Sequence, residues 1–181
     1  MSELHAAAER GDNMAVILAL GGGADPNALD GEGRTALMYA AYGGHLEPMV
    51  AMIAGDADVN VRATAGFTAL DYACKAGHLR AAKLLVEQGA QLAEKEAVLM
   101  FACDAGSVDF ATLALDQGAN ADFAGDHGMT PLIQAAWRGH VDVVKLLLAR
   151  GADPALKPGR MDALGMAESN GHAAVVELLK R

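Results

Sequence analysis

The chain has 181 residues, 52 % of them hydrophobic and 20 % charged, with a formal net charge of −9 from 14 basic and 23 acidic side chains. This composition supports a packed core and excludes a disordered chain, and the acidic balance argues against a nucleic-acid partner, whose phosphates require a basic stripe. The N-terminal segment lacks the basic start and apolar run of a secretory signal, and nowhere do about 18 apolar residues run unbroken. No Asn stands two places before Ser or Thr, so the expectation is a cytoplasmic protein without membrane insertion.

Six glycines, Gly11, Gly44, Gly77, Gly106, Gly139 and Gly171, recur in related contexts at separations of 33, 33, 29, 33 and 32 residues. A period near 33 predicts a row of equivalent helical units, none able to bury its own apolar face, with a core made by neighbour-to-neighbour packing. Six units are expected within a single domain, at approximately 1–29, 30–62, 63–93, 94–122, 123–154 and 155–181.

The first unit enters directly at Ser2-Glu3-Leu4-His5, and Gly11 ends its first helix. Gly21-Gly22-Gly23 lies at the end of its second helix and lacks the following Lys-Ser/Thr of a phosphate loop. The second unit reads RTALMYAAYGGHLEPMVAMIAGDADVN. Pro48 falls in the first turn after His45, where proline is tolerated, and Asp56 takes a helix-ending slot that asks for glycine. Aspartate is among the few residues that accept the left-handed conformation. The third unit, FTALDYACKAGHLRAAKLLVEQGA, follows the same plan.

The fourth unit departs from it. Nine residue steps separate Ala90 from Leu99, against thirteen from Ala57 to Leu70 and from Ala119 to Leu132. No Thr or Ser precedes Leu99, and Ala93-Glu94-Lys95-Glu96-Ala97-Val98 is made largely of good helix formers. Its first helix is therefore expected to start early, with the hairpin before it blunted or absent.

The fifth unit, GDHGMTPLIQAAWRGHVDVVKLLLARGADP, is the clearest. Thr130 caps a helix, Pro131 takes the first helical position, Leu132 begins the apolar face, and Gly139 supplies the positive φ that ends the helix. Ala135 and Ala136 keep one side thin for a neighbour. His140 opens a second helix with Val143, Val144, Leu146, Leu147 and Leu148 on its apolar face, and Gly151 closes it. The sixth unit stops at Lys180-Arg181, near the end of its second helix.

These units resemble the ankyrin repeat, a turn followed by a helix opening T-P-L-H-x-A-A, a G-H turn, a second helix rich in V-V-x-L-L-L, and then G-A-D-x-N. The resemblance covers essentially the whole chain, with the first and sixth units as capping repeats. It implies an all-α solenoid of stacked helix-turn-helix repeats with short β-hairpin or turn fingers, the row of fingers notched at the fourth unit.

His45, His78, His140 and His172 share one slot after the turn glycine, and His5 matches the histidine of T-P-L-H. Equivalent positions in stacked units lie about 8–10 Å apart, too far to share one metal ion, and repetition in register accounts for them. Cys74 and Cys103 occupy equivalent slots and read as reduced, small core residues. Cys74 and His78 are four apart, yet Gly77 ends the helix between them, and no supporting acid is evident. No catalytic, cofactor or metal site is expected.

In each first helix, the residue before the Ala-Ala pair and the two after it share one face. By the resemblance this face lines the concave side of the stack beside the fingers. It carries all three tyrosines and the only tryptophan. The expected partner-binding residues are Arg34, Tyr39, Tyr42, Phe67, Asp71, Tyr72, Lys75, Asp104, His127, Met129, Trp137 and Arg138. Aromatic anchors would supply energy and the interleaved charges orientation. For Tyr39, Tyr72 and Phe101, a core role competes equally with contact. The expected function is a non-enzymatic protein–protein interaction module or scaffold, monomeric apart from its partner, which binds a protein or peptide through its concave groove and fingers. A stoichiometric inhibitor or immunity-type protein occluding a toxin or enzyme is the narrower alternative, and a metal- or small-molecule-dependent enzyme is the alternative of another class.

Overall fold

A computed structural model of the protein describes residues 2–180; residues 1 and 181, the outer ends of the first and sixth expected units, lie outside the described residues. Contacts cluster into two units that divide between Glu94 and Lys95. The first contains α1 (Glu3–Arg10), α2 (Asn13–Gly21), α3 (Ala36–Gly43), α4 (Leu46–Ala54), α5 (Ala69–Lys75) and α6 (Leu79–Glu87). The second contains α7 (Lys95–Ala105), α8 (Val108–Asp116), α9 (Pro131–Arg138), α10 (Val141–Ala149), α11 (Ala163–Ser169) and α12 (Ala173–Leu179), with a short 3-10 turn at Asp126–Gly128. The architecture is an all-α solenoid of helix pairs, with no strand among the described residues.

Helix starts follow capping chemistry. Thr130 Oγ1 accepts from the Ile133 N–H at 3.2 Å, Pro131 takes the first helical position, and Asp162 accepts from the Gly165 N–H at 2.8 Å. Each cap satisfies a donor that the helix itself leaves unpaired. In the first unit α3 packs against both α1 and α5, with α4 beside α2. In the second, α9 packs against α7 and α11, and α10 against α8 and α12. Leu4, Leu37 and Leu70, in one slot of successive repeats, are buried, as are Leu99 and Leu132 in the second unit. The small pairs Ala7-Ala8, Ala40-Ala41 and Ala135-Ala136 are fully buried and let helices approach closely. Cys74 and Cys103 replace the second alanine, free and buried, and burial pushes both thiols up to about 12, so neither is a ready nucleophile at neutral pH.

The fingers are tight turns rather than paired strands. Two backbone bonds close each: Asp30 N–H donates to Arg34 C=O (3.0 Å), Ala63 to Phe67 (2.9 Å) and Gly125 to Met129 (3.0 Å), and Gly33, Gly66 and Gly128 donate back to Asp30, Ala63 and Gly125 at 2.8–3.1 Å. Helix α7 begins at Lys95 and runs eleven residues, where α3, α5 and α9 have seven or eight and start one residue before their leucine. This early start is the consequence of the four missing residues. Asp56 adopts the left-handed φ of 65° expected of it, and Pro48 is buried in the first turn of α4.

Asparagine side chains tie successive loops together. Asn27 Oδ1 accepts from the Asp58 N–H while its amide donates to Asp56 C=O, and Asn60, 33 residues on, does the same with Gln91 and Gly89. In the second unit Asp122 accepts from the Asp153 N–H at 2.9 Å.

The repeated histidines lock the turns. His45 Nε2 donates to Glu9 C=O (3.2 Å), His140 to Asp104 C=O (3.0 Å) and His172 to Trp137 C=O (2.8 Å). Each ring lies over the preceding repeat's turn glycine. A Cβ on Gly139, at φ 76°, would come within 2.6 Å of the His172 ring, whereas one on Gly171, at φ 74°, would meet nothing within 4 Å. Gly171→Ala should therefore cost only the left-handed strain, about 1–2 kcal/mol. Gly139→Ala should cost about 1–3 kcal/mol more from overpacking. Urea unfolding checks the pair; equal losses would show that the ring contact carries no weight.

Candidate functional site

The first-helix face and fingers of the first unit gather a polar and aromatic cluster around Asp30, at the start of the DGEGR turn. Aspartate suits that position because its carboxylate reaches backbone N–H groups two and four residues ahead. Asp30 Oδ1 accepts from the N–H groups of Glu32 (2.8 Å) and Arg34 (2.9 Å), and Oδ2 accepts from the Tyr39 hydroxyl (2.7 Å) and Arg34 Nε (3.1 Å). Arg34 also reaches Glu32 at 3.1 Å and lies 4.7 Å from the Tyr39 ring centre. His5 donates from Nε2 to Arg34 C=O and accepts from the Ser2 hydroxyl at Nδ1, so α1 helps fix the finger.

Burial opposes ionisation of Asp30, but the hydrogen bonds from Arg34, Tyr39 and Glu32 together outweigh it and hold the carboxyl well below its usual range. Burial, then the bond to Asp30, pushes the Tyr39 phenol up to about 12. Arg34 is shifted up: burial acts against its charge, and the bond to Asp30 overcomes it.

Beside this cluster lies a cavity of about 350 Å³ lined by Glu9, Arg34, Met38, Tyr39, Tyr42, Gly43 and Tyr72. Tyr42 is 60 % exposed, and its ring stands edge-to-face with that of Tyr72 at 6.4 Å and 87°. Phe67 also packs against Tyr72, with ring centres 5.9 Å apart, and Lys75 Nζ sits 4.1 Å from the Phe67 ring centre. Burial raises the Tyr72 phenol pKa.

The expected residues thus have different placements. Arg34, Tyr39, Tyr42, Phe67, Tyr72 and Lys75 are brought together. Asp71 offers no surface contact, because it is fully buried. Its carboxylate accepts from Thr68 N–H (2.8 Å), Thr68 hydroxyl (2.7 Å), Ala93 N–H (3.1 Å) and Glu94 N–H (3.1 Å). It caps α5 and pins the segment after α6, a role its place three residues after Thr68 could have disclosed.

In the second unit, Asp104 Oδ1 accepts from Arg138 Nε at 2.7 Å and from the amide of the mostly buried Gln134. The Arg138 guanidinium lies 4.5 Å from the centre of the Trp137 ring, which is 38 % exposed. Phe101 is exposed on α7, Met129 is half-buried at its finger, and His127 is exposed at the tip with a left-handed φ of 60°. The expected partner-binding set left out Asp30 and Glu9, although Glu9 stands on the same first-helix face as Tyr42. The Asp-Gly turn signalled the first, and the 33-residue register joining Glu9 to Tyr42 signalled the second. Among the described residues no three His, Cys, Asp or Glu side chains could together hold a metal ion, and no helix is long and apolar enough to cross a membrane.

The family model for ankyrin repeats (3 copies) matches residues 4–96 and 91–158. Over 64 residues the sequence is 41 % identical to the ankyrin repeat and KH domain-containing protein mask of Drosophila melanogaster and 39 % identical to an ankyrin repeat and KH domain-containing protein of Caenorhabditis briggsae. Those matches cover 34 % of this protein and 2 % of either relative, so it spans a small part of their length. Among solved structures, 99 % of the protein superposes on 83 % of the human ASB11 ankyrin repeat domain (TM-score 0.80, 28 % identity) and on 96 % of the ankyrin repeat protein EF0377 (0.80, 27 %). It also superposes on 97 % of one polypeptide in the complex of the Bd0816 predatory endopeptidase from Bdellovibrio bacteriovorus with immunity protein Bd3460 (0.81, 27 %).

Because the folded Asp30 carboxyl titrates below the roughly 3.9 of an unfolded one, its stabilisation is present above that value and lost as pH falls beneath it. Asp30→Asn should cost about 1–3 kcal/mol at neutral pH. It should also flatten the fall of the urea midpoint below about pH 4. An unaltered acid profile would show that Asp30 does not stabilise the cluster.

Proposed function

The chain belongs to the ankyrin-repeat family, generally a non-enzymatic protein-interaction module, and from that premise we propose that it binds a protein or peptide through the first-helix faces and fingers of its repeats. The observation that carries the reading is the aromatic corner of exposed Tyr42 and half-buried Tyr72, backed by Phe67 and Lys75 and set beside the polar cluster of Asp30. Exposed tyrosine, tryptophan and arginine are the usual energetic anchors of interfaces, and preorganised side chains lose less entropy on binding. Trp137 under Arg138 gives the second unit an anchor of the same kind. The setting proposed is cytosolic, supported by the sequence features alone.

A second, narrower reading is inhibition of an enzyme by occlusion, in the manner of an immunity protein. Its support is the likeness to a polypeptide in a structure that contains an endopeptidase and an immunity protein. Loss of the partner's activity at a one-to-one ratio would mark that case.

The test uses the natural partner, isolated by affinity purification and identified. Tyr42→Ala and Trp137→Ala, singly and together, should leave the circular dichroism spectrum and urea midpoint unchanged, since both rings are exposed. Each central anchor lost should weaken binding by about 30-fold or more, the equivalent of about 2 kcal/mol. Undiminished affinity in the double variant sinks the reading.

A further inference from the structure

We propose that the cavity between Glu9, Tyr42 and Tyr72 is a receptor for a single basic side chain, the arginine or lysine of a partner polypeptide; this rests on the reading that the first-helix face meets a protein. A cavity of about 350 Å³ is at the small end of ligand pockets and admits an inserted arginine or lysine side chain. The two tyrosine rings stand at 87° to each other and form a corner open to solvent on the Tyr42 side. A cation in such a corner is attracted by the negative ring faces, and a planar guanidinium can also stack there.

The charges of the site agree with this. Arg34 lines the same cavity, but its guanidinium is bound by Asp30 and Glu32 at 3.1 Å each, so one cation stands against two carboxylates before Glu9 is counted. Lys75 is held over the Phe67 ring. Glu9, exposed at the cavity wall on α1, has no salt-bridge partner among the described residues. Its backbone carbonyl oxygen accepts from His45, which fixes the last turn of α1, so the carboxylate is presented from an anchored position. The formal charge of −9 favours encounter with a basic segment. The polar frame therefore neutralises the resident cation and leaves Glu9 as the carboxylate of a cavity that Tyr42 and Tyr72 also line.

The probe is a seven-residue acetylated and amidated glycine-serine peptide with one arginine at its centre, alongside versions carrying lysine, glutamine or glutamate there. Binding is followed by NMR through the tyrosine ring signals, which are few enough to assign. The arginine and lysine peptides should shift the Tyr42 and Tyr72 rings, and the glutamine and glutamate peptides should not. Glu9→Gln and Tyr42→Ala should each weaken arginine-peptide binding by about fivefold or more. Glu87→Gln, which removes the same charge from α6, should change it by less than about twofold. Equal losses from Glu9→Gln and Glu87→Gln would reduce the effect to the general acidic field, and equal binding of the glutamine peptide would remove the cation preference; either overturns the proposal. The natural partner separates the two readings. If Tyr42→Ala abolishes its capture while Glu9→Gln leaves it intact, the interaction surface stands and the basic-side-chain receptor falls.

Discussion

A histidine ring that reaches back one repeat, rests on a glycine and donates to a carbonyl is the contact on which the rest of the structure depends. The glycine must be there twice over, once because the helix ends through a left-handed residue and once because the ring occupies the place of a Cβ. Each contact sets the register of one helix pair against the next. With register fixed, residues 33 apart stand in a row: Arg34 beside the slot of Phe67, Tyr39 beside Tyr72, and Glu9, Tyr42 and Lys75 in succession. The chemistry of the surface is then written by substitutions in slots the frame leaves free.

The cluster in the first unit shows how polar groups serve rigidity and recognition differently. Asp30 makes its four hydrogen bonds inside the protein, and Asp71 is buried with every oxygen engaged. Both are positioning groups: one shapes a finger and aims Tyr39, the other joins α5 to the segment that follows α6. Glu9 has the opposite character, its backbone secured and its carboxylate without a salt-bridge partner among the described residues. The division follows solvation, because a buried carboxylate must be satisfied internally whereas an exposed one can exchange water for a partner at little cost.

Much of the fold was legible because its signals are local and repeated. Turn glycines, capping threonines and alanine pairs fix helix ends and thin faces by backbone chemistry alone, and the four missing residues before Leu99 anticipated the early start of α7. The site was less legible. The aromatic residues were visible by register, but whether a charge faces outward depends on what lies opposite it in the next repeat. Asp71 carries the same formal charge as Glu9, and the Thr68 hydroxyl with the backbone of Thr68, Ala93 and Glu94 separates their roles. The loop-to-loop bonds of Asn27 and Asn60 were hidden for the same reason, since each joins an amide group to backbone a full repeat away.

Those asparagine bonds have a consequence for how the protein acquires its structure. Like the histidine bonds, they join residues 29 to 36 positions apart and no farther. The entropy lost in closing a segment of that length is modest and is the same at every step, so neighbouring pairs can nucleate and grow outward without waiting for distant parts of the sequence to meet. Ordering within each unit is thus a series of short, similar closures, and a lesion in one loop slows the step that crosses it while leaving the others at their own pace.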